Sequence, residues 1–426
     1  MVDRRQFLQS VAGAPALALG NRVLGANDRI RVAVLGVNGR GRDHIRGFQR
    51  QEGVEVVALV DPDLQVANRR AAEFEKEYGR RPQVYQDLRK AFEDPNIDVV
   101  SIATPNHWHA LATIWACQAG KDVYVEKPGT HCIAEGYSMM AAARKYKRIV
   151  SHGVQLRSSE AIQEAVQKLR EGVIGEVYMG RAVIFKWRPK LENYPDEEPP
   201  PYLNYDLWVG PAKWRPYSRR HVHYNWHWTW DFGNGEIGNQ GIHELDMLQW
   251  GLGVKLPTRV VAMGGKYLWK DHRETPELMT VLCDFGREGK YAEIAVRFWC
   301  TNNEARESNG NIFYGSEGYM VINGYTSYEV FLGPKGIPGP KNQAPTRHYE
   351  NFIQAVRSRK ESDLNGPLET AHYSCALAHI ANIAYRLGRP VQFDPEKERF
   401  VNDDEANAMI SDRYRPPYVV PPPDKV

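Results

Sequence analysis

The chain has 426 residues, 42% hydrophobic and 25% charged, which is the profile of a globular protein with room for two domains. A net charge of +3 with no Lys/Arg block argues against a nucleic-acid partner. Five scattered cysteines (Cys117, Cys132, Cys283, Cys300, Cys375) without CxxC spacing give neither a disulfide framework nor a zinc ribbon, and Cys132 reads as a small apolar filler.

In chain order, Arg4-Arg5-Gln6-Phe7-Leu8 precedes a weakly apolar stretch and the small-residue region around Ala16-Leu17-Ala18. The stretch is too short to span a bilayer. It reads as a twin-arginine export signal over residues 1–26, which predicts a periplasmic or otherwise exported protein with no stable membrane span after signal removal. That route carries folded proteins loaded with their cofactor. A cofactor held outside the cytoplasm must then be tightly bound and recycled in place.

From Arg29 onward strand and helix alternate. Residues 30–37 (IRVAVLGV) form an apolar run ending at a glycine turn, 54–60 (VEVVALV) a second strand and 64–78 a helix, followed by strands at 99–104 and 123–125. This βαβ alternation over 29–150 predicts a doubly wound parallel sheet. The texture changes after Ser151. A helix over 159–172 leads to a long strand over 176–187, and then residues 188–235 are rich in proline and aromatics with little periodicity, as in a binding loop. Strands at 258–263, 279–285, 291–300 and 311–314 predict a large open, mostly antiparallel sheet. Helical patterns at 347–359 and 368–387, which could pack back on the first domain, complete a substrate and oligomerisation domain over 151–395. A Pro-rich tail, 396–426, closes the chain.

The turn Gly36-Val37-Asn38-Gly39-Arg40-Gly41 ends the first strand and opens a helix. Glycines there allow a tight turn and close approach of backbone to a pyrophosphate resting on the helix N-terminus. Gly36 and Gly41 take the outer positions of GxGxxG, while Asn38 stands at the middle one and Gly39 follows it. Asp61 ends the second strand, 20 positions after Gly41, where a carboxylate accepts from ribose hydroxyls and repels a 2′-phosphate. The cofactor expected is NAD.

Two further segments carry a resemblance. Ala103-Thr104-Pro105-Asn106-His107-Trp108-His109 and Val125-Glu126-Lys127-Pro128, in register with the glycine turn, closely resemble the Gfo/Idh/MocA oxidoreductase family over residues 29–395. The resemblance implies an N-terminal Rossmann domain and a C-terminal α/β domain. It also implies hydride transfer between NAD and a sugar or cyclitol C–OH, with cofactor contacts from Thr104, Pro105, Asn106, His109, Glu126, Lys127 and Arg40. Lys127 falls on the lysine that faces the reacting hydroxyl. Asn239-Gln240-Gly241-Ile242-His243-Glu244-Leu245-Asp246 matches a DxGxHxxD signature, so His243 takes the place of the catalytic histidine and Asp246 could orient the site. Asn239 departs from the pattern: an amide cannot support an imidazolium as a carboxylate does, but it can bind a sugar hydroxyl.

The resemblance also implies substrate or cofactor contacts at Gln155 and Arg157. In the segment His221-Val222-His223-Tyr224-Asn225-Trp226-His227-Trp228-Thr229-Trp230-Asp231, metal binding, core packing and a carbohydrate-binding wall are all open. Apolar ring faces beside polar edges favour the wall, with Trp226, His227 and Trp230 in it. The reading is thus an exported NAD-containing oxidoreductase acting on a sugar, glycoside or cyclitol, a homo-oligomer through the strands from Glu176 onward. Two rivals stand beside it: an NAD-dependent glycoside hydrolase that oxidises its sugar transiently, and a non-catalytic sugar-binding Rossmann protein.

Overall fold

The computed structural model describes residues 29–299 and 309–426, so the arginine pair and Cys300 lie outside the described residues. Its first sheet is built from β1 (Ile30–Leu35), β2 (Val54–Val60), β3 (Gln83–Tyr85), β4 (Val99–Ile102), β5 (Asp122–Val125) and β6 (Val150–His152). Between them run α1 (Gly41–Gln49), α2 (Leu64–Tyr78), α3 (Leu88–Glu93), α4 (Asn106–Gln118) and α5 (Ile133–Lys145). The strand order is β3-β2-β1-β4-β5-β6 and every pairing is parallel, a doubly wound Rossmann sheet. Apart from Arg31, which pairs with Asp98, β1 and β4 are apolar or small, as in a strand covered by helices on both faces. Asp63 caps α2 by accepting from Val66 N, and Gly79 ends it in the left-handed region.

The second layer begins with α6 (Glu160–Arg170), β7 (Val177–Trp187) and the short α7 (Tyr205–Val209), then α8 (Gly235–Asn239) and α9 (Gly241–Leu252). Strands β8 (Arg259–Gly265), β9 (Leu278–Phe285), β10 (Lys290–Trp299), β11 (Asn309–Gly315), β12 (Gly318–Asn323), β13 (Ser327–Leu332) and β14 (Ile337–Gln343) follow, then α10 (His348–Ser358), α11 (Leu368–Leu387), β15 (Val391–Asp394) and β16 (Arg399–Phe400). The ten-stranded sheet runs β14-β13-β12-β11-β7-β10-β9-β8-β15-β16 and is antiparallel except where β7 meets β10. The fold is α/β, with a separate, mostly antiparallel second sheet. Gly180 lies against Leu248 and Leu252, so a side chain there would push α9 off the sheet. One sheet face packs on α6, α9 and α11 in a single apolar core. Alternation places Trp187 and Met263 on the other face, both exposed.

Three features differ from the sequence reading. The first sheet takes in β6, across the 150/151 boundary, because β5 needs a parallel neighbour. The region after 395 supplies β16, and Tyr418, Val420 and Val426 are buried in the Rossmann core, so it is packed structure rather than a loose tail. Strands β12 to β14 were not foreseen. β14 carries Pro338 and Pro340, which a sheet tolerates at its edge. Helix α10 returns to the Rossmann domain, with Phe352, Ile353 and Val356 in the core around β1. Among the described residues no helix is long and apolar enough to cross a membrane.

The buried histidines make stability depend on pH. Burial pushes His107 and His152 down to about 3 and His348 to about 4. In the unfolded chain histidine titrates near ~6.5. Their contribution is therefore intact above about 6.5 and is lost as pH falls toward those folded values, since only the unfolded chain takes up the protons. His131, whose burial is outweighed by Asp412 and which is raised to about 9, acts in the opposite sense and is outnumbered. The melting temperature at pH 5 is expected several degrees below that at pH 7 by scanning calorimetry; a melting temperature at pH 5 equal to or above that at pH 7 would contradict this.

Candidate functional site

The glycine turn is shaped by its surroundings. Gly36 has φ +77°, and a Cβ there would sit 2.6 Å from the Ala103 carbonyl oxygen. A Cβ at Gly41 would sit 2.0 Å from the Gly36 oxygen, so both positions exclude any side chain. Gly39 meets nothing within 4 Å and borders a cavity of about 350 Å³. Arg70 on α2 braces the turn, donating from Nε to the Val37 oxygen (3.0 Å) and from Nη2 to the Asn38 oxygen (2.9 Å). The turn therefore holds its form with Asn38 in place of the middle glycine, while Asn38 Oδ1 accepts from Arg69 (3.3 Å).

Asp61 lines the same cavity at the end of β2. Its Oδ2 accepts from Val37 N and its Oδ1 from Asp63 N, both at 3.0 Å. Burial pushes the carboxyl up to about 6 against these two backbone donors. Thr104 Oγ1, also at the cavity, is buried without a partner. A tight turn, the open space before Gly39, the N-terminus of α1 and an oriented carboxylate together fit a dinucleotide.

At the other end β5 delivers Glu126 and Lys127. Glu126 Oε1 accepts from Arg40 Nε (2.8 Å) and meets His44 Nε2 (3.0 Å), while Oε2 accepts from Lys127 N (3.0 Å). Burial would raise this carboxyl, but Arg40, His44 and Lys127 hold it well below the usual range. Arg40 also reaches Gln155 Oε1 at 3.2 Å. Arg40 and Glu126 thus shape the cavity wall by pairing with each other. Lys127 Nζ donates to the backbone oxygen of Asn239 at 2.7 Å, and burial lowers its pKa. Asn239 holds the lysine through its main chain, a role its side-chain chemistry did not announce.

His243 lines the cavity near the start of α9 and is 3% exposed. Burial first, then the Lys127 charge, holds its pKa well below 6.5, so the ring is neutral at physiological pH. Its Nδ1 is buried without a partner. Tyr325, in the turn between β12 and β13, lies against it with ring centroids 4.8 Å apart. His109 holds neighbouring loops, its ring nitrogens facing the Thr104 oxygen (2.8 Å) and the Pro128 oxygen (2.6 Å). Asn106 donates to Asn234 Oδ1 (2.9 Å), tying α4 to the loop before α8. Thr104, Pro105, Asn106 and His109 all border the cavity.

The aromatic segment divides. Trp226 and His227 line the cavity as a stacked pair, 3.6 Å between centroids and 19° between planes. Trp230 does not join them: it faces a second cavity of about 290 Å³, where Arg386 lies over its ring at 5.1 Å. His221 pairs with Tyr205 OH (3.0 Å), His223 with Asp63 Oδ2 (3.0 Å) and His227 with the Tyr224 oxygen (2.6 Å), so the three do not converge on one point as metal ligands would. Arg157 and Asp246 also correct the sequence reading. They form a buried ion pair at 2.6 Å, with the guanidinium over Trp250 at 4.6 Å, and neither borders the cavity. Gln155 does.

Residues 188–235 were read as a binding loop, but sequence reasoning did not place part of them as a strap over the nucleotide end. Asn204 N donates to the Pro62 oxygen (2.9 Å), Leu64 N to the Tyr202 oxygen (3.0 Å), and Leu207, Trp208, His223 and Tyr224 join Asp61 around the cavity. It also missed Tyr325, Gln240 and Glu244. Tyr325 lies in a hairpin turn with no motif, whereas the other two sit within the matched signature and gave no sign of their partners.

Residues 30–154 match the oxidoreductase family domain described as an NAD-binding Rossmann fold, and residues 161–264 and 310–420 match that family's C-terminal alpha/beta domain. A glycosyl hydrolase family 109 protein of Shewanella sp. (strain W3-18-1) is 30% identical over 190 residues, 42% of this chain and 41% of the relative. An alpha-N-acetylgalactosaminidase of Shewanella oneidensis is 29% identical over 194 residues, 42% of each chain. The matched part spans about two-fifths of these curated relatives. Among solved structures, the WlbA dehydrogenase of Bordetella pertussis, in complex with NADH and UDP-GlcNAcA, has a TM-score of 0.65 at 19% identity, covering 86% of this chain and 99% of that one. The aldose-aldose oxidoreductase of Caulobacter crescentus has 0.64 at 20% identity, covering 86% and 100%.

Asp61→Ala removes the carboxylate expected to accept from the ribose and to repel a 2′-phosphate. Calorimetry is expected to find NAD bound about tenfold more weakly or worse, with its advantage over NADP reduced. Undiminished preference for NAD would remove Asp61 from that role.

Proposed function

The chain belongs to the Gfo/Idh/MocA oxidoreductase family, and from that premise we propose that it oxidises and reduces a carbinol carbon of a sugar, glycoside or cyclitol with an NAD that stays bound. The observation that carries this reading is that Lys127 and His243, a buried lysine and a neutral histidine, border one cavity with the glycine turn and Asp61.

Bound NAD supplies the acceptor and, on return, the donor of hydride at the carbinol carbon. Lys127, fixed by the Asn239 oxygen, donates a hydrogen bond to the oxygen that develops charge. His243, already neutral, takes the hydroxyl proton. Trp226 and His227 offer a stacked face to the sugar ring, and the strap over residues 202–224 restricts water and exchange at the nucleotide end. That strap and the arginine pair at Arg4-Arg5 support a resident cofactor in an exported protein. Met263, 78% exposed on the second face of the ten-stranded sheet, supports association of two copies through that face.

A second reading uses the same site for net hydrolysis, with transient oxidation of the sugar, elimination of the aglycone, addition of water and re-reduction. The names of the curated relatives favour it, as does a third protic group, Tyr325, beside His243.

Denaturing the purified protein is expected to release nicotinamide dinucleotide. With a panel of nitrophenyl glycosides, release of nitrophenol without net NADH identifies hydrolysis; accumulation of reduced cofactor with a sugar identifies the oxidoreductase. Lys127→Ala should lower either activity about a hundredfold or more while the cofactor stays bound. Unchanged turnover would refute the assignment of Lys127.

A further inference from the structure

Gln240, which joins α8 to α9, has a side-chain amide with two hydrogens, and two contacts use both. Its Nε2 donates to Tyr325 Oη at 2.6 Å and to Glu244 Oε1 at 2.9 Å. Tyr325 Oη accepts from Gln240, so its own hydrogen must point elsewhere. Tyr325 borders the cavity with its ring against His243, so that hydrogen is available to an oxygen of a ligand that meets His243.

We propose that Tyr325 is a recognition donor for an oxygen on the carbon next to the one that reacts, and that Gln240 and Glu244 are positioning residues that keep its hydrogen free. The substrate class is accordingly a vicinal diol on a polyol ring. This rests on the reading that Lys127 and His243 attend the reacting hydroxyl; two side chains in ring contact present their polar ends to neighbouring oxygens of one ring.

The surroundings keep Tyr325 a donor. Burial, with Glu244 and Glu126 adding to it, raises its phenol above the ordinary value, while Gln240 and Arg40 act the other way. Glu244 is 2% exposed and its Oε2 is buried without a partner. Burial pushes this carboxyl up to about 8, with Gln240, Lys186 on β7 and Lys127 opposing. At neutral pH it is largely uncharged, so it accepts from Gln240 without placing a full charge behind the phenol.

The test uses the holoenzyme with methyl α- and β-D-glucopyranosides and galactopyranosides and their monodeoxy analogues, following binding by calorimetry and turnover by the cofactor's redox state. On the native protein, one monodeoxy analogue is expected to bind about tenfold more weakly than its parent. Tyr325→Phe should lose the same factor on the parent and nothing more on that analogue. Gln240→Leu should raise KM several-fold with little change in kcat, a split that general loosening of α9 would not give. Full affinity of Tyr325→Phe for the parent, or losses that add in the analogue, would overturn the proposal. If the glycosides bind with this pattern but never change the cofactor's redox state, the redox reading fails and the recognition role stands; if none binds, both fall.

Discussion

The site depends on one buried carboxylate. Glu126 is 4% exposed, yet it draws together Arg40 from the glycine turn, His44 from α1 and the backbone N–H of Lys127. A charge so placed is costly unless every lone pair is used, and removing one partner would leave the others buried and unmatched. The pairing fixes the distance between the turn that suits a pyrophosphate and the lysine at the far end of the cavity. Arg40, which also borders the cavity, is held there by Glu126, Asp43 and Gln155, each accepting one of its N–H groups.

Around that point the second domain packs on the first through shared apolar cores, and a few hydrogen bonds fix the site between them. Lys127 Nζ on the Asn239 oxygen ties β5 to the end of α8, and Asn106 with Asn234 ties α4 to the loop before it. At the nucleotide end, His223 pairs with Asp63, whose carboxyl is lowered because the His223 and Val66 hydrogen bonds outweigh burial. Residues of the second domain thus border both ends of the cavity. The loop over residues 188–235 that supplies the His223 and Asn234 contacts is the part of the chain with least periodicity.

What was legible in the sequence follows from how local each constraint is. The Rossmann sheet, Gly36, Gly41 and Asp61 were legible because a parallel strand, a turn and a helix N-terminus impose fixed spacing over a few residues. Lys127 and His243 were legible only through the family resemblance. Arg157 and Asp246 were misplaced because sequence spacing says which helix face a residue takes but not how deep it lies; they meet in a buried pair beside Trp250. Trp230, four residues from Trp226, turns into another cavity because the chain has no regular period there. Tyr325 could not be found, since it reaches His243 from a hairpin turn more than eighty positions away. Glu244 has a similar history: its neighbour His243 matched the signature, and only the fold shows that the glutamate backs Gln240.

The central claim is that one cavity brings a nicotinamide and a sugar hydroxyl to Lys127 and His243. The most direct measurement is a crystal structure of the full chain with NAD and a sugar bound. The account predicts the nicotinamide ring beside Lys127, the ribose hydroxyls at Asp61, and one sugar hydroxyl within hydrogen-bond reach of both Lys127 Nζ and His243. A nicotinamide directed away from Lys127, or a sugar held only at Trp230 and the second cavity, would contradict it.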